Sequence, residues 1–140
     1  MILKIEFGNF FSIRDKIRID FRAANINTTL ARELRHNVVD WNGDPVLKTI
    51  GLFGPNASGK SNIVKAIHFC CRMILDSHLY NEGTVFNFEP FKFDGWQEKP
   101  SSFLIDFVCD NVEYEYSFEL TKTKILSESL YHYPFGRRAK

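Results

Sequence analysis

The chain has 140 residues, 44% hydrophobic and 15% aromatic, with 14 phenylalanines biasing it toward strands and dense packing. Its 18 basic and 17 acidic residues leave a formal charge of +1, so composition carries no electrostatic footprint for nucleic acid or an anionic membrane. A chain of this length is expected to form one folded domain that buries about two-thirds of its unfolded surface.

Taken in order, Met1-Ile2-Leu3-Lys4-Ile5-Glu6-Phe7 is charged too early for a signal peptide and alternates as a strand over residues 2–7. Gly8-Asn9-Phe10-Phe11-Ser12 reads as a turn with an aromatic pair, and residues 16–21 as a second strand, giving an antiparallel hairpin over 1–22. Residues 22–44 lack clear periodicity and are expected to be a long connection with one short helix, closed by the turn Asn42-Gly43-Asp44-Pro45. Residues 46–53 are mostly apolar and read as a buried strand.

Immediately after it stands Gly54-Pro55-Asn56-Ala57-Ser58-Gly59-Lys60-Ser61, a complete G-x-x-x-x-G-K-S pattern between a predicted strand and a predicted helix. Gly54 and Gly59 permit backbone conformations in which successive N–H groups turn inward around a phosphate. The following helix aims its positive end at the same anion; Lys60 is expected to reach the β- and γ-phosphates as the catalytic lysine, and the Ser61 hydroxyl to hold Mg²⁺. The segment from Gly54 to Asn62, taken residue by residue as Gly54, Pro55, Asn56, Ala57, Ser58, Gly59, Lys60, Ser61 and Asn62, is therefore the candidate nucleotide site, with a nucleotide and Mg²⁺ as its ligands.

From Gly59 to about Tyr80, Ile63, Ile67, Cys70 and Ile74 recur at helical spacing, widened by Val64, Cys71 and Leu75, which predicts a helix between layers of the fold. Asn81-Glu82-Gly83 is expected to end it. Phe86, Phe88, Phe91, Phe93 and Trp96 read as the edge of a packed core in preference to a base-stacking surface, since only Lys92 and Lys99 accompany them. Phe103 to Cys109 and Val112 to Leu120 alternate around an Asp110-Asn111 turn, and a third strand follows from Ile125 to Tyr133, an antiparallel meander over 102–134 with one charged face.

Asp106 ends the apolar run Phe103-Leu104-Ile105, the shape of a Mg²⁺-binding strand end, but Phe107 and Val108 continue the strand, so a solvated strand position is expected. Cys70, Cys71 and Cys109 lack metal-ligand spacing, and an odd count favours reduced thiols in a cytoplasmic protein, with Cys70 and Cys71 packing a helix. His36, His68, His78 and His132 share no ligand spacing, and Arg137-Arg138-Ala139-Lys140 reads as a solvated end. No apolar run approaches the roughly 20 residues needed to cross a bilayer.

Three pieces together resemble one family. Met1 to Phe21, with the run from Ile5 to Ile13 at its centre, is similar to the opening hairpin of the ABC-type ATPase heads of the RecF, SMC and OLD group. Gly54 to Asn62 resembles the phosphate loop of the AAA-type ATP-binding proteins in that group, including ATPases of anti-phage systems, and Glu89-Pro90-Phe91 with the meander and Glu128-Ser129-Leu130-Tyr131 completes the likeness. The resemblance implies an α/β fold of α+β character, a P-loop NTPase lobe with a mixed sheet, an antiparallel meander and one long P-loop helix. It implies a head that dimerises around two ATP molecules, with Asn9 and Ser12 near the nucleotide; a DNA or effector partner is compatible with it but is not supported by composition. Many relatives carry a basic residue where Phe11 stands. Their signature motif, their acidic strand end with a catalytic glutamate and their late histidine have no match here, so residues 1–140 are expected to be one domain, the N-terminal lobe of a longer head, nearly inactive alone. The alternatives are a non-hydrolysing, nucleotide-gated interaction module, or a GTPase or small-molecule kinase. Against the last pair, no Asn-Lys-x-Asp motif occurs and two strands precede the loop.

Overall fold

Alternation in the first strand sets the architecture: Ile5 and Phe7 are fully buried, while Lys4 and Glu6 are only partly covered, as a strand with one face on a core requires. The computed structural model describes residues 1–24, 28–81 and 83–134. In chain order the elements are β1 (Ile2–Gly8), β2 (Ile17–Asp20), α1 (Thr29–Glu33), β3 (Val38–Trp41), β4 (Asp44–Leu47), α2 (Lys60–Asp76), β5 (Ser101–Cys109), β6 (Val112–Leu120) and β7 (Ile125–Tyr133). Short 3₁₀ turns lie at Leu34–Asn37, Ser77–Leu79 and Trp96–Glu98. The readings placed on Glu82 and on Arg137 to Lys140 fall outside the described residues.

Five strands form one sheet in the order β2-β1-β5-β6-β7, and β3 pairs with β4 apart from it. The hairpin and the meander read from period-two alternation are both present. The mixed sheet is not: every pairing among the described residues is antiparallel, because the strands are hairpin neighbours and β5 enters beside β1 from the opposite end. Gly8 closes β1 where the hairpin is tightest. A Cβ there would lie 3.1 Å from the Lys16 backbone.

Helix α2 lays Ala66, Phe69, Cys70 and Met73 on the sheet, positions three and four apart that share one helical face. The Phe69 ring sits 5.1 Å from Phe103 and 6.1 Å from Phe10, and Phe10 also meets Phe7, Phe88 and Phe103 within 6.0 Å. Each such buried side chain contributes about 1.5–3 kcal/mol. This aromatic cluster clamps the β1–β2 turn against α2. Burial also holds the Cys70 thiol protonated, consistent with its packing role. The helix is not sandwiched, however: Val64 and Leu75 are 58% and 65% exposed, so the sequence stripe was wider than the face that packs.

Two further expectations are corrected between β2 and α2. Val38–Trp41 is a strand rather than connection, joined to β4 by Asn42 and Gly43 at φ 53° and 90°, the left-handed pair that a two-residue hairpin turn demands. Pro45 lies within β4, where it has no N–H to leave unpaired and its carbonyl accepts from Ala23 N–H at 2.7 Å. The buried strand over 46–53 ends at Leu47, where β4 is paired with β3 on one side and bridged to residues 21–23 on the other; no strand among the described residues lies alongside residues 48–53, and Phe53 is 95% exposed.

The second face of the large sheet is ionic. Lys4 meets Asp106 at 3.0 Å, Arg18 meets Asp20 at 2.6 Å, and Arg22 meets Glu113 at 3.0 Å. Asp106 is therefore not a solvated position: only 6% of it is exposed, and its Oδ1 has no hydrogen-bond partner. Burial pushes its carboxyl above the ordinary value despite the pull of Lys4. The folded state thus holds that proton more tightly than the unfolded chain, a contribution present below the ordinary carboxylate value and lost as pH rises through the raised one. In urea titrations, Asp106→Asn should accordingly gain stability relative to the unmodified chain as pH is raised across that window; a constant difference would contradict it.

Candidate functional site

The loop between β4 and α2 is shaped by three backbone positions of positive φ: Gly54 at 155°, Ala57 at 63° and Gly59 at 92°. Gly59, the residue before α2, is fixed twice over, since a Cβ there would also meet Ser12 Oγ at 3.2 Å. At Gly54 a Cβ would lie 3.0 Å from Ser58 Oγ. Both glycines leave room that any other residue would fill, which is the fit a backbone cradle for a phosphate needs.

Lys60 folds back over this loop. Its Nζ donates to the carbonyls of Gly54 at 2.8 Å and Pro55 at 2.6 Å, with Ser58 Oγ at 3.4 Å. An ammonium gathered by carbonyls at the mouth of a 17-residue helix stands beside that helix's positive end. The arrangement places one cation beside the first turn of α2, the end of a helix that favours an anion, while Asn62 and Ile63 N–H donate to Gly59 O at 2.9 and 3.2 Å. Ser61 is exposed in the first turn, and Asn62 Nδ2 donates to Ser12 Oγ at 2.8 Å.

The structure thus brings Ser12 to Gly54–Asn62, joining two pieces of sequence that lie 50 residues apart. Asn9 does not join them. It is 2% exposed, and its Nδ2 faces the carbonyls of Trp96, Lys99 and Pro100 at 3.0, 2.8 and 3.2 Å while its Oδ1 accepts from Phe91 N–H at 2.9 Å. Both ends of its amide are occupied in holding residues 91–100 to the β1–β2 turn. Asp106 lies on the ionic face of the sheet, turned from α2, and so contributes nothing to the loop.

Among the described residues no cluster of three His, Cys, Asp or Glu side chains forms a metal site. Ser61 is the metal-ligand candidate at the loop. The aromatic run splits: Phe86 and Phe88 are core residues, as packing predicted, but Phe93 is 69% exposed. With Phe11, Pro90 and Phe91 it walls a cavity of about 400 Å³ that also touches Ser12 and Asn62. Phe91 and Phe93, read from the sequence as a packed edge in preference to a stacking surface, both follow Pro90 and adjoin the Glu89-Pro90-Phe91 run of the family likeness. A second cavity, of about 500 Å³, runs along α2 past Lys65, His68 and Arg72. Lys65 Nζ sits 4.7 Å from the centre of the Phe11 ring.

No helix of the described residues is long and apolar enough to cross a membrane. No curated protein matches the chain. Residues 50–138 match the family described as "AAA domain, putative AbiEii toxin, Type IV TA system", a span that opens four residues before the loop and takes in α2 and the meander. With well over half its length matched, and with the loop, helix and antiparallel sheet in place, the chain belongs to this family of AAA-type P-loop ATPase heads.

Proposed function

We propose that the loop from Gly54 to Asn62 binds the phosphates of ATP, and that the complete protein uses this binding for Mg-dependent hydrolysis. The observation that carries the proposal is Lys60: its ammonium lies against the carbonyls of Gly54 and Pro55 and needs only to swing outward to meet a β- or γ-phosphate. In this reading the first-turn N–H groups of α2 and the loop amides surround the phosphates, Gly59 lets the backbone approach them, and Ser12 with Asn62 closes the side toward the ribose. The Ser61 hydroxyl is the group that would ligate Mg²⁺, whose chemistry is to neutralise charge developing on the phosphate oxygens. Phosphoryl transfer to water also needs a group to orient that water and an acidic metal ligand, and the described residues offer neither beside the loop. The proposal therefore takes residues 1–140 as one domain, the N-terminal lobe of an ABC-type head whose remaining parts and whose head-to-head partner complete the site. The family description names a toxin of a type IV toxin–antitoxin system, and a role of the complete protein in such a system or in anti-phage defence belongs to the same proposal.

The expected result for the 140-residue chain is saturable ATP binding with phosphate release no faster than about one turnover per hour, far below ordinary turnover numbers. Calorimetric titration and a phosphate-release assay measure the two. Turnover at the rate of a finished enzyme, abolished by Lys60→Ala, would overturn the composite site. The second reading, a nucleotide-gated interaction module, requires ATP to promote dimers of the complete protein without turnover, which sedimentation alongside the same assay distinguishes.

A further inference from the structure

The cavity of about 400 Å³ beside the loop shares Ser12 and Asn62 with the proposed phosphate site and is otherwise walled chiefly by Phe11, Pro90, Phe91 and Phe93. Phe93 stands 69% exposed, its ring set edge-to-face against Phe91 at 5.5 Å. The larger cavity along α2 touches neither Ser12 nor Asn62. Of these two, the smaller is continuous with the loop.

Most polar groups around its wall are engaged with one another, and Lys92, which also lines it, is held only by the Glu89 carboxylate at 3.9 Å. Phe11 N–H donates to Glu89 O at 2.7 Å, Phe91 N–H donates to Asn9 Oδ1 at 2.9 Å, and Pro90 has no N–H to offer. Asn62 and Ser12 bond each other at 2.8 Å, and the Glu89 carboxylate accepts from Lys122 Nζ at 2.6 Å. What the cavity presents to a ligand is therefore chiefly ring faces, with the Lys92 ammonium at its rim. Stacking on an aromatic face tolerates any base because every base has a π-face, whereas strong rejection of the wrong base requires a polar group in the wall that the wrong base leaves unpaired.

We infer that this cavity seats the nucleobase of the nucleotide whose phosphates the loop holds, by stacking on Phe93 and Phe91 rather than by hydrogen bonding, so that adenine and guanine nucleotides bind with similar affinity. The inference rests on the phosphate reading of the loop. It adds that the head selects its nucleotide through the triphosphate and through cellular abundance, not through the base.

The test is calorimetric titration of the unmodified chain, Phe93→Ala, Phe93→Leu and Lys60→Ala with ATP, GTP and inorganic tripolyphosphate. Phe93 is exposed, so neither of its substitutions threatens the fold. The expected result is ATP and GTP dissociation constants within about threefold of each other. Phe93→Ala should weaken both by about tenfold, Phe93→Leu by less, and neither should change tripolyphosphate binding. A hundredfold preference for ATP over GTP would overturn the stacking seat. So would unchanged ATP affinity in Phe93→Ala while Lys60→Ala abolishes binding, an outcome that leaves the loop intact. If Lys60→Ala has no effect on any of the three ligands, the phosphate reading falls and the base seat with it.

Discussion

Asn9→Ala should lower the stability of the chain by about 3–5 kcal/mol without weakening ATP binding at temperatures where the fold persists. The magnitude comes from what the side chain leaves behind. Its Nδ2 faces three backbone carbonyls at 2.8 to 3.2 Å and its Oδ1 holds one N–H, so its loss strands several backbone groups next to a residue that is only 2% exposed. Each buried group left unpaired costs about 1–3 kcal/mol, less where water can enter. Asn9 also adopts φ 55°, a left-handed conformation in which alanine is disfavoured by about 1–2 kcal/mol. Against a total of about 5–15 kcal/mol for a domain, that loss is severe. Urea denaturation of the variant measures it, with Asn9→Asp as the control that keeps Oδ1 but loses the donors. A stable Asn9→Ala variant with weakened ATP binding would mean that Asn9 serves the nucleotide, as the family likeness implied, and not the scaffold.

Lys60→Ala should act in the opposite sense, leaving stability within about 0.5 kcal/mol and weakening ATP binding by about a hundredfold or more. Hydrogen bonds to charged groups contribute about 1.5–3 kcal/mol each, and the lysine is expected to give up its contacts with Gly54 and Pro55 to make such bonds to phosphate. The contacts it leaves are to loop carbonyls that can turn to water, so the fold does not depend on them. Titration of ATP into the two proteins, with thermal melts alongside, separates the effects. A destabilised Lys60→Ala chain would show that the lysine holds the loop together instead.

How far the sequence reaches depends on the distance over which each feature is decided. The loop is legible because its glycines, lysine and serine act within eight consecutive residues. The β1–β2 hairpin and the meander are legible because alternation is local, and the Asp110-Asn111 turn carries its own signature, φ 49° and 61°. The β3–β4 hairpin was announced by Asn42-Gly43, but strands of four residues that contain Asp40 and Pro45 leave too little alternation to read. Burial of Asp106 depends on Lys4 across the sheet, and the work of Asn9 on partners 82 to 91 residues along the chain; no window of sequence contains either. Residues 48–53 show the same limit from the other side, because an apolar run becomes a strand only where another strand lies beside it.

The central claim is that the loop from Gly54 to Asn62 holds nucleotide phosphates. A crystal of this chain grown with Mg-ATP tests it most directly. The account predicts phosphate density against the first turn of α2, within hydrogen-bond distance of a Lys60 Nζ that has left the carbonyls of Gly54 and Pro55. Nucleotide bound elsewhere, with Lys60 still folded onto those carbonyls, would contradict it.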